Sequence, residues 1–127
     1  MKNTKTLRKA GFTLVEIMIV VAIIGLLAAI AIPNFVRARA TSQANACINN
    51  MRQIDAAVNE WALEKGMKTG DGPATLTSDL TPYIKLNSGG NIPSCPAQGS
   101  YTVGTVGAIP QVTCSVGLTV TPSHVLP

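Results

Sequence analysis

The amino-acid sequence predicts an α+β protein, in which a long N-terminal α-helix packs through its second half on a small antiparallel β-sheet. Residues 12–32 are apolar apart from one carboxylate, Glu16, and are long enough for a membrane-spanning helix. Apolar residues then recur at steps of three and four up to about Gly66, which is the period of one helix face. After Gly66, short runs rich in Thr and Val alternate with Gly and Pro, a pattern typical of strands and turns.

The net charge of the chain is confined to its beginning. Four bases precede the apolar run, and they account for the whole formal charge of +4, since bases and acids balance from residue 12 onward. These bases are Lys2, Lys5, Arg8 and Lys9. The positive-inside bias favours a cytoplasmic position for such a leader. The balanced remainder has no basic footprint, so we expect no general nucleic-acid binding.

The apolar run is longer than the core of an ordinary secretory signal. At about 1.5 Å per residue it forms about 31 Å of helix, enough to cross the hydrocarbon core of a bilayer. Secretory signals have apolar cores of about 7–15 residues followed by a small-residue cleavage site. No such site with a polar start behind it follows this run. Hydropathy alone therefore predicts a single-pass membrane anchor with its N-terminus in the cytoplasm.

The second half of the predicted helix carries one apolar stripe, with polar residues between its members. The stripe consists of Ala40, Ala44, Cys47, Met51, Ile54, Val58 and Trp61. We expect this stripe to pack on the sheet and Gly66 to end the helix. We predict strands at residues 100–106, 111–115 and 117–120, and a turn or short helix at residues 77–84.

The start of the apolar run carries a specific motif. Residues 11–16 read Gly-Phe-Thr-Leu-Val-Glu, and the apolar tract continues to Pro33. Here the sequence resembles the type IV pilin and type II secretion pseudopilin superfamily. The resemblance implies that a prepilin peptidase cuts between Gly11 and Phe12 on the cytoplasmic side, and that the new amine of Phe12 is methylated.

The same resemblance implies a domain organisation. Residues 1–11 would be a basic leader that is cleaved off, and residues 12–33 a hydrophobic helix that spans the membrane and later forms the filament core. Residues 34–127 would form a pilin-like globular domain, made of an amphipathic helix (34–65) and a loop with a small antiparallel sheet (66–127).

Glu16 is the residue in the apolar run that most needs an explanation. A charged side chain in lipid costs roughly 2.5–3.5 kcal/mol by insertion scales and usually marks function. Glu16 follows Phe12 by one helical turn, so in a filament it could neutralise the Phe12 amine of a neighbouring subunit and fix the register. The alternative is that Glu16 reaches the headgroups and interacts with the positive end of its own helix. Gly25 and Pro33 weaken the same helix, and the resemblance implies that residues 25–33 can unwind in a filament.

The three cysteines predict one disulfide. A hairpin would bring Cys95 and Cys114 together, and disulfides persist outside the cytoplasm, so we predict a Cys95–Cys114 bond. Cys47 would then be a free buried thiol, although its pairing with either of the others stays open. A zinc site of the three cysteines and His124 is disfavoured, because there is no CxxC knuckle, the compartment is oxidising and His124 lies in a terminal tail. No Asp or Glu follows Asp79, so we expect no calcium site either.

The sequence does not predict an enzyme. His124 is the one histidine, no acid beyond Asp79 could orient it, and there is no phosphate-binding glycine loop of Walker form. We therefore expect no catalytic residues and no cofactor.

The leading functional hypothesis is a structural subunit of a type IV pilus-like filament. Its implied partners are identical or homologous pilin subunits, the prepilin peptidase, an assembly ATPase and an inner-membrane platform protein. The subunit would wait in the bacterial inner membrane and end in an extracellular or periplasmic filament. Two alternatives stay open: a pseudopilin of a type II secretion system, and a single-pass membrane protein with a small binding ectodomain.

Overall fold

The computed structural model describes residues 11–126, and its elements confirm the predicted α+β class. One α-helix, α1, spans Leu14–Lys65. Two short strands follow, β1 at Tyr101–Val103 and β2 at Val112–Cys114. The chain divides into two compact units, of which the first ends at Val36 and the second begins at Arg37. Of the predicted leader, residues 1–11, only Gly11 lies within the described residues.

The start of α1 is fixed by an N-cap. The backbone N–H of Glu16 donates to Thr13 Oγ1 at 3.2 Å, which satisfies one of the amides that have no partner in the first turn. The carboxylate of Glu16 lies in that same turn, where the helix dipole favours a negative charge. Thr and Glu three residues apart form the usual sequence signature of a helix start.

The helix continues through Pro33 without interruption. Pro33 weakens the helix there, because proline cannot donate to the carbonyl of Ala29. One missing hydrogen bond is not enough to end the helix, since each residue on either side adds its own bond once the helix is nucleated.

The first unit consists mainly of apolar helix with exposed side chains. Its large apolar side chains, from Phe12 to Val36, are 48–80% exposed. An 18-residue stretch of α1 near the N-terminus has a mean hydropathy of 2.9, and none of it is buried. By length and composition, this part of α1 could cross a membrane.

The core of the second unit forms around the predicted helical stripe. From α1 it takes Cys47, Met51, Ile54, Ala57, Val58, Trp61 and Ala62. From the rest of the unit it takes Ala74, Leu80, Ile84, Cys95, Val103, Val106, Val112 and Cys114. The stripe is thus confirmed from Ala44 to Trp61, and Ala40 is half-buried. Residues 77–84 form turns, as predicted, and Leu80 and Ile84 point inward.

The end of α1 at Lys65 is a Schellman motif, in agreement with the predicted glycine stop. Gly66 has a φ of 66°, and its N–H donates to the carbonyl of Leu63 at 3.3 Å. The N–H of Met67 donates to the carbonyl of Ala62 at 2.9 Å. Both bonds satisfy carbonyls at the end of the helix that would otherwise have no partner.

The sheet is a two-stranded antiparallel pair, smaller than predicted. Tyr101 pairs with Cys114 and Val103 with Val112, and the two valines are buried on one face. The predicted third strand at residues 117–120 is wrong, because this segment forms turns. The N–H of Gly117 donates to the carbonyl of Cys114 at 2.9 Å, so the chain reverses directly after β2.

Candidate functional site

The predicted processing and assembly residues lie at and just before the start of α1. Phe12 precedes the helix and is 80% exposed, and Glu16 is exposed in its first turn. A Cβ atom built at Gly11 would meet no heavy atom of the described residues within 4 Å.

The two helix-weakening residues lie inside regular helix. Gly25 is surrounded by open space, with nothing within 4 Å of a Cβ built there. Pro33 lies within α1, near the end of the first unit. These residues form no site in a single chain, so any role of theirs has to come from neighbouring molecules or from lipid.

The exposed apolar surface of the first unit explains what this segment can do. Exposure of a continuous apolar helix surface to water is energetically unfavourable. Large exposed apolar patches therefore mark membrane or protein contacts. Lipid covers such a surface, and so do other apolar helices. The segment therefore fits membrane anchoring and helix-to-helix assembly.

The N-terminal segment is similar to segments of known proteins. The family of the prokaryotic N-terminal methylation motif matches residues 6–32, which include the exposed apolar helix and the residues before it. The type IV major pilin protein PilA of Myxococcus xanthus is 50% identical over 58 residues, which cover 46% of this chain and 26% of the relative.

Through this N-terminal segment, the chain is similar to type IV major pilins.

Two further relatives extend the match into the second unit. The type IV major fimbrial protein FimA of Dichelobacter nodosus is 46% identical over 83 residues, covering 61% of this chain and 52% of the relative. The type IV major pilin protein PilE of Neisseria gonorrhoeae is 39% identical over 84 residues, covering 63% of this chain and 50% of the relative. The chain thus aligns with about half or less of each of these relatives. No solved structure matches the chain.

The second candidate site is a cluster of the three cysteines and His124. Cys47 lies on α1, Cys95 precedes β1, Cys114 ends β2 and His124 follows the turn after β2. Each is at least 91% buried. All three cysteines are free thiols in the structure. The structure thus brings Cys95 and Cys114 into one cluster, as the predicted disulfide requires, but it brings Cys47 there as well.

His124 was expected to lie in a terminal tail, which counted against a zinc site. In the structure His124 is buried, and its Nδ1 lies 3.9 Å from Cys95 Sγ. Its backbone N–H donates to the carbonyl of Gly117 at 2.8 Å, which ties the segment to the turn after β2.

The environment of the cluster gives two of its thiols different acidities. Burial acts to raise the pKa of Cys95, but hydrogen bonds with Cys47, the backbone N–H groups of Ala97 and Gly99, and His124 outweigh it and lower that pKa to about 7. Burial raises the pKa of Cys47 to about 12, despite its hydrogen bond with Tyr101. Cys95 is therefore the more readily ionised of the two.

Sequence reasoning missed the polar residues that support the cluster. The Tyr101 hydroxyl donates to Cys47 Sγ at 3.6 Å. Asn50 Nδ2 contacts both the Tyr101 hydroxyl, at 3.2 Å, and the carbonyl of Ser94, at 3.1 Å. Asn50 precedes Tyr101 by 51 positions, and no local pattern signals a contact over that distance.

Proposed function

We propose that this chain is the structural subunit of a type IV pilus-like filament, assembled by packing its apolar N-terminal helices against those of neighbouring subunits. The observation that carries this proposal is the exposed apolar helix directly behind a prepilin methylation motif. Support also comes from the relatives, which are named as major pilins and fimbrial proteins.

In this proposal the chain passes through the membrane before it assembles. The basic leader stays in the cytoplasm, residues 12–33 span the bacterial inner membrane, and residues 34–127 form the domain on the other side. A prepilin peptidase removes residues 1–11 and methylates the Phe12 amine. An assembly ATPase and an inner-membrane platform protein then transfer the subunit from lipid into an extracellular or periplasmic filament.

Contacts with neighbouring apolar helices compensate each helix for the lipid contacts that it loses on leaving the membrane. Each helix exchanges lipid contacts for contacts with other apolar helices, so the transfer costs little hydrophobic energy. The charged pair between Glu16 and a neighbour's Phe12 amine then selects one axial register, because any other register leaves two charges unpaired in an apolar core. A contact of this head-to-tail type repeats without closing, which produces a filament.

Processing is tested by the N-terminus and mass of the chain isolated from cells that carry its own peptidase. The expected product begins at Phe12 and is heavier by one methyl group than the unmodified mature chain. Gly11→Val should remain unprocessed, although a Cβ at this position meets none of the residues that the structure describes. Gly25→Ala, a matched glycine with equally open surroundings, should be processed normally.

Two results would contradict the proposal. A wild-type chain that keeps Met1 in the presence of the peptidase would support a single-pass membrane protein instead. A processed chain that never appears in sheared surface fibres would support a secretion pseudopilin.

A further inference from the structure

Four metal-binding side chains converge in the core of the second unit. The three thiol sulfurs of Cys47, Cys95 and Cys114 and a ring nitrogen of His124 all lie within 4.8 Å of one another. They come from four separate places in the chain: α1, the loop before β1, β2 and the segment after its turn. Convergence from four places is not produced by local sequence, so the fold itself assembles this group.

We propose that this cluster binds one zinc ion, through the sulfurs of Cys47, Cys95 and Cys114 and the imidazole of His124. Three sulfurs and one imidazole nitrogen are a common ligand set of structural zinc sites. Hard cations such as calcium and magnesium prefer oxygen ligands, which this cluster does not offer. The proposal goes beyond the proposed filament role and does not depend on it.

The distances in the cluster suit a tetrahedral ion. With zinc–sulfur bonds of about 2.3 Å, the ligand atoms of a regular tetrahedron lie about 3.8 Å apart. The distance from Cys95 Sγ to His124 Nδ1 is 3.9 Å, and no ligand pair exceeds 4.8 Å. Small side-chain rotations therefore bring all four atoms to bonding distance, with release of the three thiol protons to solvent.

A hydrogen-bond donor contacts one sulfur of the cluster, as a buried site with excess negative charge requires. Three thiolates around a divalent ion leave a net charge of −1, which needs donors in a buried place. Cys47 Sγ accepts from the Tyr101 hydroxyl, which Asn50 holds in turn.

Two glycines leave room for the cluster. A Cβ at Gly99 would lie 2.6 Å from Cys114 Sγ, and a Cβ at Gly117 would lie 2.9 Å from the carbonyl oxygen of His124. Any side chain at these two positions would push a ligand residue away. A cavity of about 150 Å³ beside the cluster is lined in part by Cys114 and His124.

A disulfide would use only part of this arrangement. One bond joins two of the three sulfurs and leaves the third thiol buried beside an imidazole. A zinc ion uses all four groups. It would also link α1 to three later segments in a unit whose described sheet has only two three-residue strands, and small domains of this kind often depend on a metal or a disulfide.

The test starts with the full-length chain, purified in detergent without chelator or reductant. We expect one zinc per chain by elemental analysis and three reduced cysteines by mass spectrometry under denaturing conditions. The chain stripped of metal and titrated with cobalt(II) should show intense sulfur-to-cobalt charge-transfer bands and the visible bands of a tetrahedral ion.

The variant His124→Asn separates zinc binding from disulfide formation, because a disulfide does not need an imidazole. We expect its zinc affinity to fall by about tenfold or more, as even changes in the groups behind a ligand cost about 10–100-fold. Ile54→Val, a mild change at a fully buried core position two helical turns beyond Cys47, should keep wild-type affinity.

The proposal would be overturned by a wild-type chain that carries a disulfide between any two of these cysteines and no zinc. It would equally be overturned if the reduced wild-type chain gave the cobalt spectrum of an octahedral ion without sulfur ligands. The cobalt measurement uses the wild-type chain alone, so it holds even if the histidine variant fails to fold.

Discussion

Glu16 has no ion-pair partner among the described residues of a single chain, and its side chain is exposed. Its structural contact is made by the backbone N–H, which donates to Thr13 Oγ1. A substitution of the side chain therefore keeps the N-cap bond and the start of α1. This separates a role in assembly from a role in folding.

At this scale we predict that Glu16→Val inserts into the membrane and is processed, but does not form filaments efficiently. The reason is that the Phe12 amine of a neighbour would be left unpaired in an apolar core. The measurement is the yield of sheared filaments relative to the membrane pool of subunit. Glu60→Val, a matched change at an exposed glutamate of the same helix, should assemble normally.

A normal filament yield from Glu16→Val would exclude the pairing. It would favour the alternative in which this carboxylate only interacts with the positive end of its own helix.

At the scale of elements, the two ends of α1 are fixed by short-range bonds. Thr13 provides the N-cap, and Gly66 provides the left-handed residue of the Schellman motif. Beyond the C-terminal end, Tyr83 donates a short hydrogen bond to Glu64, which raises the pKa of the Tyr83 hydroxyl. This bond links the last turn of the helix to the turns at residues 77–84.

We predict that Gly66→Ala destabilises the second unit by about 1 kcal/mol, because the left-handed conformation is higher in free energy for an L-residue with a side chain than for glycine. The free energy of unfolding can be followed by the fluorescence of Trp61, which is buried in this unit. Gly72→Ala is the control, since Gly72 has open surroundings and no positive φ. Equal stability of the two variants would show that the helix end does not depend on this conformation.

At the scale of the whole molecule, the two units differ in whether their apolar side chains are buried within the chain or exposed. The second unit buries its helical stripe under its own loops and strands. The large apolar side chains of the first unit stay exposed. The stability of the second unit is therefore a property of one chain, whereas the first unit depends on lipid or on neighbours.

We predict that Ile54→Ala lowers the free energy of unfolding of the second unit by about 2–5 kcal/mol, the usual cost of truncating a fully buried aliphatic residue. Leu63→Ala on the same helix should change it little, because Leu63 is 85% exposed. Both can be measured by chemical denaturation of the full chain in detergent. Similar effects of the two changes would contradict the core described here.

The sequence was most informative where the signals are local. The long helix, its glycine stop and its apolar stripe follow from periodicity over neighbouring residues, and the motif at residues 11–16 is continuous. The third strand was predicted wrongly because Gly117 and the residues after it resemble a strand in composition but form a turn after β2. The sequence offered the three cysteines and His124 as a ligand set but did not show that they lie together, because tertiary packing alone brings these residues into one cluster.

The contact between Cys47 and Tyr101 spans 54 positions of the chain. At translation rates of about 5–20 residues per second, the later partner is made roughly 3–11 s after the earlier one. During that interval only the segments with Ala74, Leu80, Ile84 and Cys95 become available to cover the apolar face of α1. We expect the core of the second unit to close only after synthesis of the chain has passed β2, which contributes Val112 and Cys114.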